Sequence, residues 1–289
     1  MMTQSAAVLT GAVSIKVDLP PPDSEVLPGV RWGAIEAFPT PAYWAYQVFA
    51  RRLCGSPARY RLGTSLSEEV SACLLGGHGI PANVGVAAFR KLQSLGVLAD
   101  TPTEEALFKL LSEPLNIDGR QIKYRFARQK ARYISAALER LASESPPTHS
   151  GKDLRNWLTQ LPGIGYKTGS WVARNWLDAD DVAILDIHIL RAGNLAGFFR
   201  ENLTVERNYL DLESQFLCFS GAIGVRPSEL DAVMWYEMMS SPRTITELMG
   251  GRLSASPNPP KEKVTAKIPL QRPRAYKGRA DARQARLID

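Results

Sequence analysis

The sequence predicts an all-α protein with an extended N-terminal arm and a basic C-terminal tail. From Pro41 to about residue 250, apolar residues recur with the spacing of amphipathic helices, and no alternating strand pattern recurs. Turn signals such as Gly76-Gly77 and Pro114 divide this stretch into helix-sized segments. We therefore expect three regions, which are the arm over 1–40, a helical domain over 41–251 and the tail over 252–289.

The predicted arm is rich in proline, with five prolines among its 40 residues. Proline lacks a backbone N–H and interrupts both helices and central strands. Only Ala12 to Val17 have a strand-like pattern. The arm is therefore expected to be extended.

Charge is concentrated in the tail. Residues 252–289 carry ten Lys or Arg against three acidic residues, a net +7, whereas the whole chain is +6, so the other 251 residues sum to −1. A basic tail of low apolar content is typical of a disordered segment that binds a polyanion. If the helical domain itself binds nucleic acid, it has to do so through the arrangement of a few groups at one site, because its net charge does not attract a polyanion.

Composition also limits the class of protein. With 45% hydrophobic and 22% charged residues the chain is expected to fold, and no apolar run approaches the ~18 residues of a membrane span. Cys54, Cys73 and Cys218 are too far apart for a disulfide framework or a metal clip. We expect a soluble, cytoplasmic monomer that is nucleoid-associated if the source is prokaryotic.

The clearest helix of the predicted domain spans about Lys123 to Ala142. Its apolar residues fall on one side, and its basic residues fall on the others. The simplest interpretation of the basic run is a solvated face. Those basic residues are Arg125, Arg128, Lys130 and Arg132.

A glycine-rich turn joins the next two predicted helices. The first helix spans about Lys152 to Gln160, Gly163 and Gly165 permit a tight turn, and the second helix begins near Tyr166. The start of a helix leaves backbone N–H groups unpaired, and such groups bind a DNA phosphate without reading sequence. A plain structural turn is the alternative interpretation.

Asp186 lies nineteen residues after Lys167, at the predicted start of another helix. The hairpin, Lys167 and this spaced Asp186 resemble the helix-hairpin-helix DNA glycosylase superfamily, and within it the lyase-type 8-oxoguanine DNA glycosylases. Ala131 to Ser135 also resembles a stretch that precedes the hairpin in that family. The resemblance covers roughly residues 40–240 and implies two helical subdomains flanking a base-binding cleft.

The resemblance implies a catalytic role for both residues. Breaking an N-glycosidic bond develops positive charge on the sugar, which the Asp186 carboxylate would stabilise. The Lys167 amine would attack the anomeric carbon and form a Schiff base, which permits β-elimination of the strand. This attack requires a neutral lysine, although the usual pKa is about 10.4. The alternatives are a phosphate-binding Lys167 and an Asp186 that only caps its helix.

The segment from Glu229 to Tyr236 resembles the helix that lines the family's base pocket. Asp231 stands where the family usually has a glutamine that reads the base, and Trp235 stands where it has a stacking phenylalanine. Trp171, four residues after Lys167, occupies the place of a frequent cysteine. An ionised Asp231 would accept the N1–H and N2–H₂ donors of 8-oxoguanine, or the amine of a modified cytosine.

Two further positions are candidates for DNA binding. His188 matches a family histidine near a phosphate, with a capping or surface role as its alternative. Asn83 would fill the gap left by a flipped base, or it would cap the helix that follows. No metal or cofactor is predicted apart from a monovalent cation that the hairpin could hold.

The sequence therefore favours a bifunctional glycosylase and AP lyase that acts on 8-oxoguanine in double-stranded DNA. A glycosylase for another modified base, such as a modified cytosine in foreign DNA, is the second hypothesis. A non-catalytic hairpin module that only binds DNA is the third.

Overall fold

The structure is a computed structural model that describes residues 3–55, 60–77 and 79–254. Helices dominate this part of the chain, as predicted. The helices are α1 (Pro41–Cys54), α2 (Leu66–Leu75), α3 (Ala82–Ser94), α4 (Glu104–Ser112), α5 (Ala127–Ser143), α6 (Gly151–Leu158), α7 (Tyr166–Leu177), α8 (Ile187–Ala196), α9 (Val205–Ala222), α10 (Pro227–Ser240) and α11 (Pro242–Ser254). Most of the predicted basic tail, residues 255–289, lies outside the described residues.

In the described part of the chain, three short antiparallel hairpins accompany the helices. Each consists of two strands that are consecutive in sequence. The strands are β1 (Gln4–Thr10), β2 (Val13–Leu19), β3 (Glu25–Leu27), β4 (Val30–Arg31), β5 (Leu115–Ile117) and β6 (Arg120–Ile122).

The N-terminal region is more ordered than the extended arm that the prolines suggested. Within the predicted strand-like run at Ala12–Val17, all residues but Ala12, which lies in the preceding turn, belong to β2. The partner strand β1 was not predicted, because its Ser-Ala-Ala run has little apolar alternation. Val30, Trp32 and Ile35 are buried in a hydrophobic core. Residues 3–40 therefore form part of the folded body rather than an arm beside it.

The helical domain holds one hairpin that the helical spacing concealed. Strands β5 and β6 have three residues each and are joined by Asp118 and Gly119, both with positive φ. An Asp-Gly pair is a preferred sequence for a two-residue hairpin turn, and the strands beside it, Leu-Asn-Ile and Arg-Gln-Ile, are only partly apolar. The long helix accordingly starts at Ala127 rather than near Lys123.

Among the described residues, buried apolar side chains form two separate cores, in agreement with two subdomains. The first core comes mainly from α2 to α7. The second comes from the N-terminal region, α1 and α8 to α11. The chain passes from the first core to the second between Val182 and Ala183. Along the described residues, none of the helices has the length and apolar character needed to cross a bilayer.

Candidate active site

The predicted hairpin is present, with α6 and α7 joined by a turn that ends at Gly165. Leu161 and Ile164 anchor this turn in the first core. Gly165 is the N-cap of α7 and has no side chain to accept hydrogen bonds from the first amides of the helix. These amides remain available for an anion such as a DNA phosphate.

Gly163 is required by the turn for two reasons. Its φ of +80° lies in the left-handed region, and a Cβ at this position would lie 2.1 Å from Cδ2 of Tyr133. We expect Gly163→Ala to lower the free energy of unfolding by about 1 to 2 kcal/mol for the backbone alone, with a further loss from displacing the Tyr133 ring. Urea or thermal unfolding would measure the loss.

Gly165→Ala provides the matched control within the same turn. Gly165 has an extended backbone, and nothing lies within 4 Å of a Cβ built there. Its loss of stability should be at most about 1 kcal/mol, the usual value of a weaker N-cap. Equal losses in the two variants would contradict the role assigned to Gly163.

Asp186 is the N-cap residue of α8. Its Oδ1 accepts hydrogen bonds from the backbone N–H groups of His188 at 2.8 Å and Ile189 at 3.2 Å. The capping interpretation is therefore correct, but it accounts for only one carboxylate oxygen. Oδ2 points to a different partner.

That partner is Lys167, whose Nζ lies 3.3 Å from Oδ2 of Asp186. Lys167 lies in the first turn of α7, and its side chain is 43% exposed, whereas that of Asp186 is 13% exposed. The two residues, nineteen positions apart, thus meet at the surface with the amine open to solvent. A capping role and a catalytic role for Asp186 are compatible, because each uses a different oxygen.

The predicted site residues His188 and Trp171 lie close in sequence to this pair, two residues after Asp186 and four residues after Lys167, and Trp235 lies on α10. Trp171 packs against the first core and Trp235 against the second. The His188 and Trp235 rings meet edge to face with their centroids 6.4 Å apart. The two tryptophans are partly buried on different subdomains, an arrangement compatible with the two predicted walls of a base pocket; those roles stay predictions.

Asp231 requires a correction, because it does not present a carboxylate edge to a pocket. Its side chain is 3% exposed, and Oδ1 lies 3.1 Å from Nη1 of Arg174. Oδ2 accepts a hydrogen bond from the backbone N–H of Ile184 at 3.3 Å. Both oxygens are therefore used inside the protein, so reading a base would require breaking a buried ion pair.

Asn83 is exposed in the first turn of α3, and the N-cap position belongs to Pro81. The capping alternative for Asn83 is therefore wrong, and its proposed role in filling the gap in DNA stays a prediction. Within the described residues, no group of three or more His, Cys, Asp or Glu side chains is arranged to hold a metal ion.

The predicted solvated basic face of α5 also has an exception. Lys130 is half-buried, and its Nζ donates a hydrogen bond to the Gly76 carbonyl at 3.3 Å. Burial lowers the pKa of Lys130. A Cβ built on Gly76 would lie 3.2 Å from Cη2 of Trp171, so this position has little room for a side chain. Sequence alone does not distinguish this lysine from its exposed neighbours.

Comparison with known proteins shows which family the chain resembles. Residues 61–225 match the family model described as 8-oxoguanine DNA glycosylase. A protein from Methanocaldococcus jannaschii named 8-oxoguanine DNA glycosylase/AP lyase is 30% identical over 147 residues, which are 49% of this chain and 70% of that protein. A protein of the same name from Saccharolobus islandicus is 29% identical over 194 residues, which are 62% of this chain and 86% of that protein.

Solved structures of 8-oxoguanine glycosylases are also similar to this chain. The 8-oxoguanine DNA glycosylase of M. jannaschii is 27% identical with a TM-score of 0.46, covering 61% of this chain and 78% of that one. The same enzyme in complex with a 15mer DNA containing 8-oxoguanine is 24% identical with a TM-score of 0.45, covering 70% and 90%. From the family model and the sequence relatives, the chain belongs to the 8-oxoguanine DNA glycosylase family.

Proposed function

We propose that this chain removes 8-oxoguanine from double-stranded DNA and then cleaves the strand at the resulting site. The observation that carries the proposal is the 3.3 Å contact between Nζ of Lys167 and Oδ2 of Asp186 beside the hairpin. Holding a phosphate requires no carboxylate next to the lysine. The pair therefore favours an enzyme over a module that only binds DNA.

In the proposed first step, the target nucleotide leaves the duplex at a cost of a few kcal/mol, so that its sugar reaches Lys167. The Lys167 ammonium, which is open to solvent, gives a proton to water before attack, because only the neutral amine is a nucleophile. Its nitrogen then bonds to C1′ while the bond from C1′ to the base breaks and its electron pair leaves with the base. Oδ2 of Asp186 stabilises the positive charge that develops on the sugar.

The second step uses the same lysine. The lysine nitrogen gives a proton to water, and its electron pair then forms a double bond to C1′ while the bond from C1′ to O4′ breaks and O4′ takes up a proton. This opens the sugar and gives a Schiff base between C1′ and Nζ of Lys167. Loss of a proton from C2′ then expels the 3′ phosphate oxygen and breaks the strand. The amides at the start of α7 would hold a neighbouring phosphate and so keep the sugar against Lys167.

The geometry of Asp231 bears on the choice of base. The hypothesis of a modified cytosine depended on an acceptor-only Asp231 in the pocket together with Trp171. Because both oxygens of Asp231 are engaged with Arg174 and Ile184, Asp231 no longer supports either the modified cytosine or 8-oxoguanine. The names of the relatives support 8-oxoguanine.

A panel of duplexes, each with one defined lesion, tests the proposal. The panel includes 8-oxoguanine, a modified cytosine, an undamaged guanine and a preformed abasic site, and mass spectrometry identifies the base released. We expect release of 8-oxoguanine with strand cleavage, and cleavage of the abasic duplex. Binding without release or cleavage would favour the DNA-binding module, and preferential release of the modified cytosine would overturn the assigned substrate.

A further inference from the structure

The backbone that leads into Asp186 is held by buried side chains. Residues 183–185, here called the crossing segment, are the first residues after the chain leaves the first core. Two of the segment's backbone N–H groups donate hydrogen bonds to buried carboxylates, that of Ala183 to Oε1 of Glu213 at 3.0 Å and that of Ile184 to Oδ2 of Asp231 at 3.3 Å. The Tyr209 hydroxyl makes two more hydrogen bonds: it accepts from the Leu185 N–H at 3.2 Å and donates to the Ala183 carbonyl at 2.6 Å.

The two carboxylates that hold the crossing segment also bind the hairpin helices. Glu213 pairs with Arg155 of α6, and Asp231 pairs with Arg174 of α7. All four side chains are at most 8% exposed. Each carboxylate thus has one oxygen on the hairpin and the other on the backbone just before Asp186.

Tyr209 makes the same link in a second way. Its ring stacks on Tyr166 with the centroids 5.6 Å apart and an interplanar angle of 23°. Tyr166 directly precedes Lys167, and the Tyr209 hydroxyl binds residues that directly precede Asp186. The Tyr209 side chain therefore contacts residues that are close in sequence to both Lys167 and Asp186.

We propose that Tyr209, Asp231 and Glu213 are positioning residues that hold the crossing segment against the hairpin and so place Asp186 beside Lys167. The proposal rests on the proposed function, since it assigns these residues to the same two chemical steps. It also gives Asp231 a role that differs from reading the base. Both base excision and cleavage of an abasic site depend on this placement, whereas only excision depends on reading a base.

Burial raises the pKa of Asp231 to about 6, and Arg174 opposes this increase. Removing Asp231 alone would leave a buried, unpaired arginine and destabilise the fold for reasons unrelated to positioning. Replacing both members of a buried ion pair by apolar residues is often neutral for stability. Tests at this position therefore change Arg174 together with Asp231.

The first test removes only the hydroxyl that binds the crossing segment. Tyr209→Phe keeps the ring on Tyr166, and Tyr124→Phe is the matched control, because the buried Tyr124 hydroxyl donates to the Leu75 carbonyl in the first core. We expect Tyr209→Phe to slow single-turnover excision and abasic-site cleavage by the same factor, about tenfold or more, with unchanged DNA affinity. Unchanged rates, or equal losses in Tyr124→Phe, would overturn the proposal.

The second test compares two double variants that differ in one acceptor. Arg174→Met with Asp231→Leu removes the bond to the Ile184 amide, whereas Arg174→Met with Asp231→Asn keeps an oxygen that can accept it. We expect the leucine variant to lose both activities in parallel and the asparagine variant to recover most of both. Loss of excision alone would restore the base-reading role of Asp231, and equal rates in the two variants would contradict positioning through Ile184.

Hydrogen exchange in DNA-free protein separates this proposal from the proposed function. The Leu185 amide should exchange faster in Tyr209→Phe than in the unmodified protein, and Tyr124→Phe should leave it unchanged. If the unmodified protein acts on none of the lesions, the proposed function fails, and this measurement still decides whether Tyr209 holds the segment. Unaltered exchange at Leu185 would overturn that part of the proposal.

Discussion

Lys167→Gln should abolish both the covalent capture of DNA by borohydride and cleavage of the strand. Borohydride reduces a Schiff base to a stable amine and so fixes the protein to its substrate. Glutamine keeps a polar side chain of similar length, but its amide nitrogen is not a nucleophile. Gel electrophoresis of trapped complexes and of cleaved strands would measure both losses.

Lys152→Gln is the control for this experiment. Lys152 is an exposed lysine at the opposite end of α6 from the hairpin turn. Its replacement should leave trapping and cleavage close to those of the unmodified protein. Persistent trapping in Lys167→Gln would place the nucleophile on another residue and refute the assignment of Lys167.

Asp186→Asn should lower single-turnover base excision by about 10²- to 10³-fold, the size expected when a positioned group that stabilises the transition state is removed. Asparagine is as good an N-cap as aspartate, so the bonds from His188 and Ile189 to one oxygen should persist. DNA affinity and thermal stability should therefore change little. Rapid-quench measurement of the released base gives the rate.

Asp181→Asn is the matched control, because Asp181 also accepts backbone bonds at a helix start, from Gly151 and Lys152 of α6. It makes the same chemical change at a cap with no assigned role in catalysis, so its excision rate should stay near normal. An unchanged rate in Asp186→Asn would mean that Asp186 is only a cap. That result would revive the DNA-binding module as the function.

The sequence predicted the features that depend on neighbouring residues. The turn at Gly163 and Gly165, the start of α7 near Tyr166 and the capping position of Asp186 are encoded in short segments, and the structure has all of them. The spacing from Lys167 to Asp186, interpreted through a family resemblance, predicted that both residues act on the same sugar. The match over residues 61–225 confirmed the family.

Other features needed the folded chain. Strand β1 has little apolar alternation, and its strand character depends on pairing with β2 and packing beside α1. Asp231 was assigned to a pocket because it occupies the right position along α10. In the structure it faces Arg174, 57 residues earlier in the chain, and the Ile184 amide, 47 residues earlier.

Local sequence alone thus predicted the helical character of the domain and the hairpin turn, because helix periodicity, capping and glycine turns act over a few positions. The two candidate catalytic residues were identified through the family resemblance. Only the tertiary structure decided which oxygen of Asp186 faces Lys167, and that Tyr209, Glu213 and Asp231 hold the backbone before it. Burying a charge is costly unless a partner meets it. Those partners come from helices distant in sequence, and their pairing is visible only when both cores have formed.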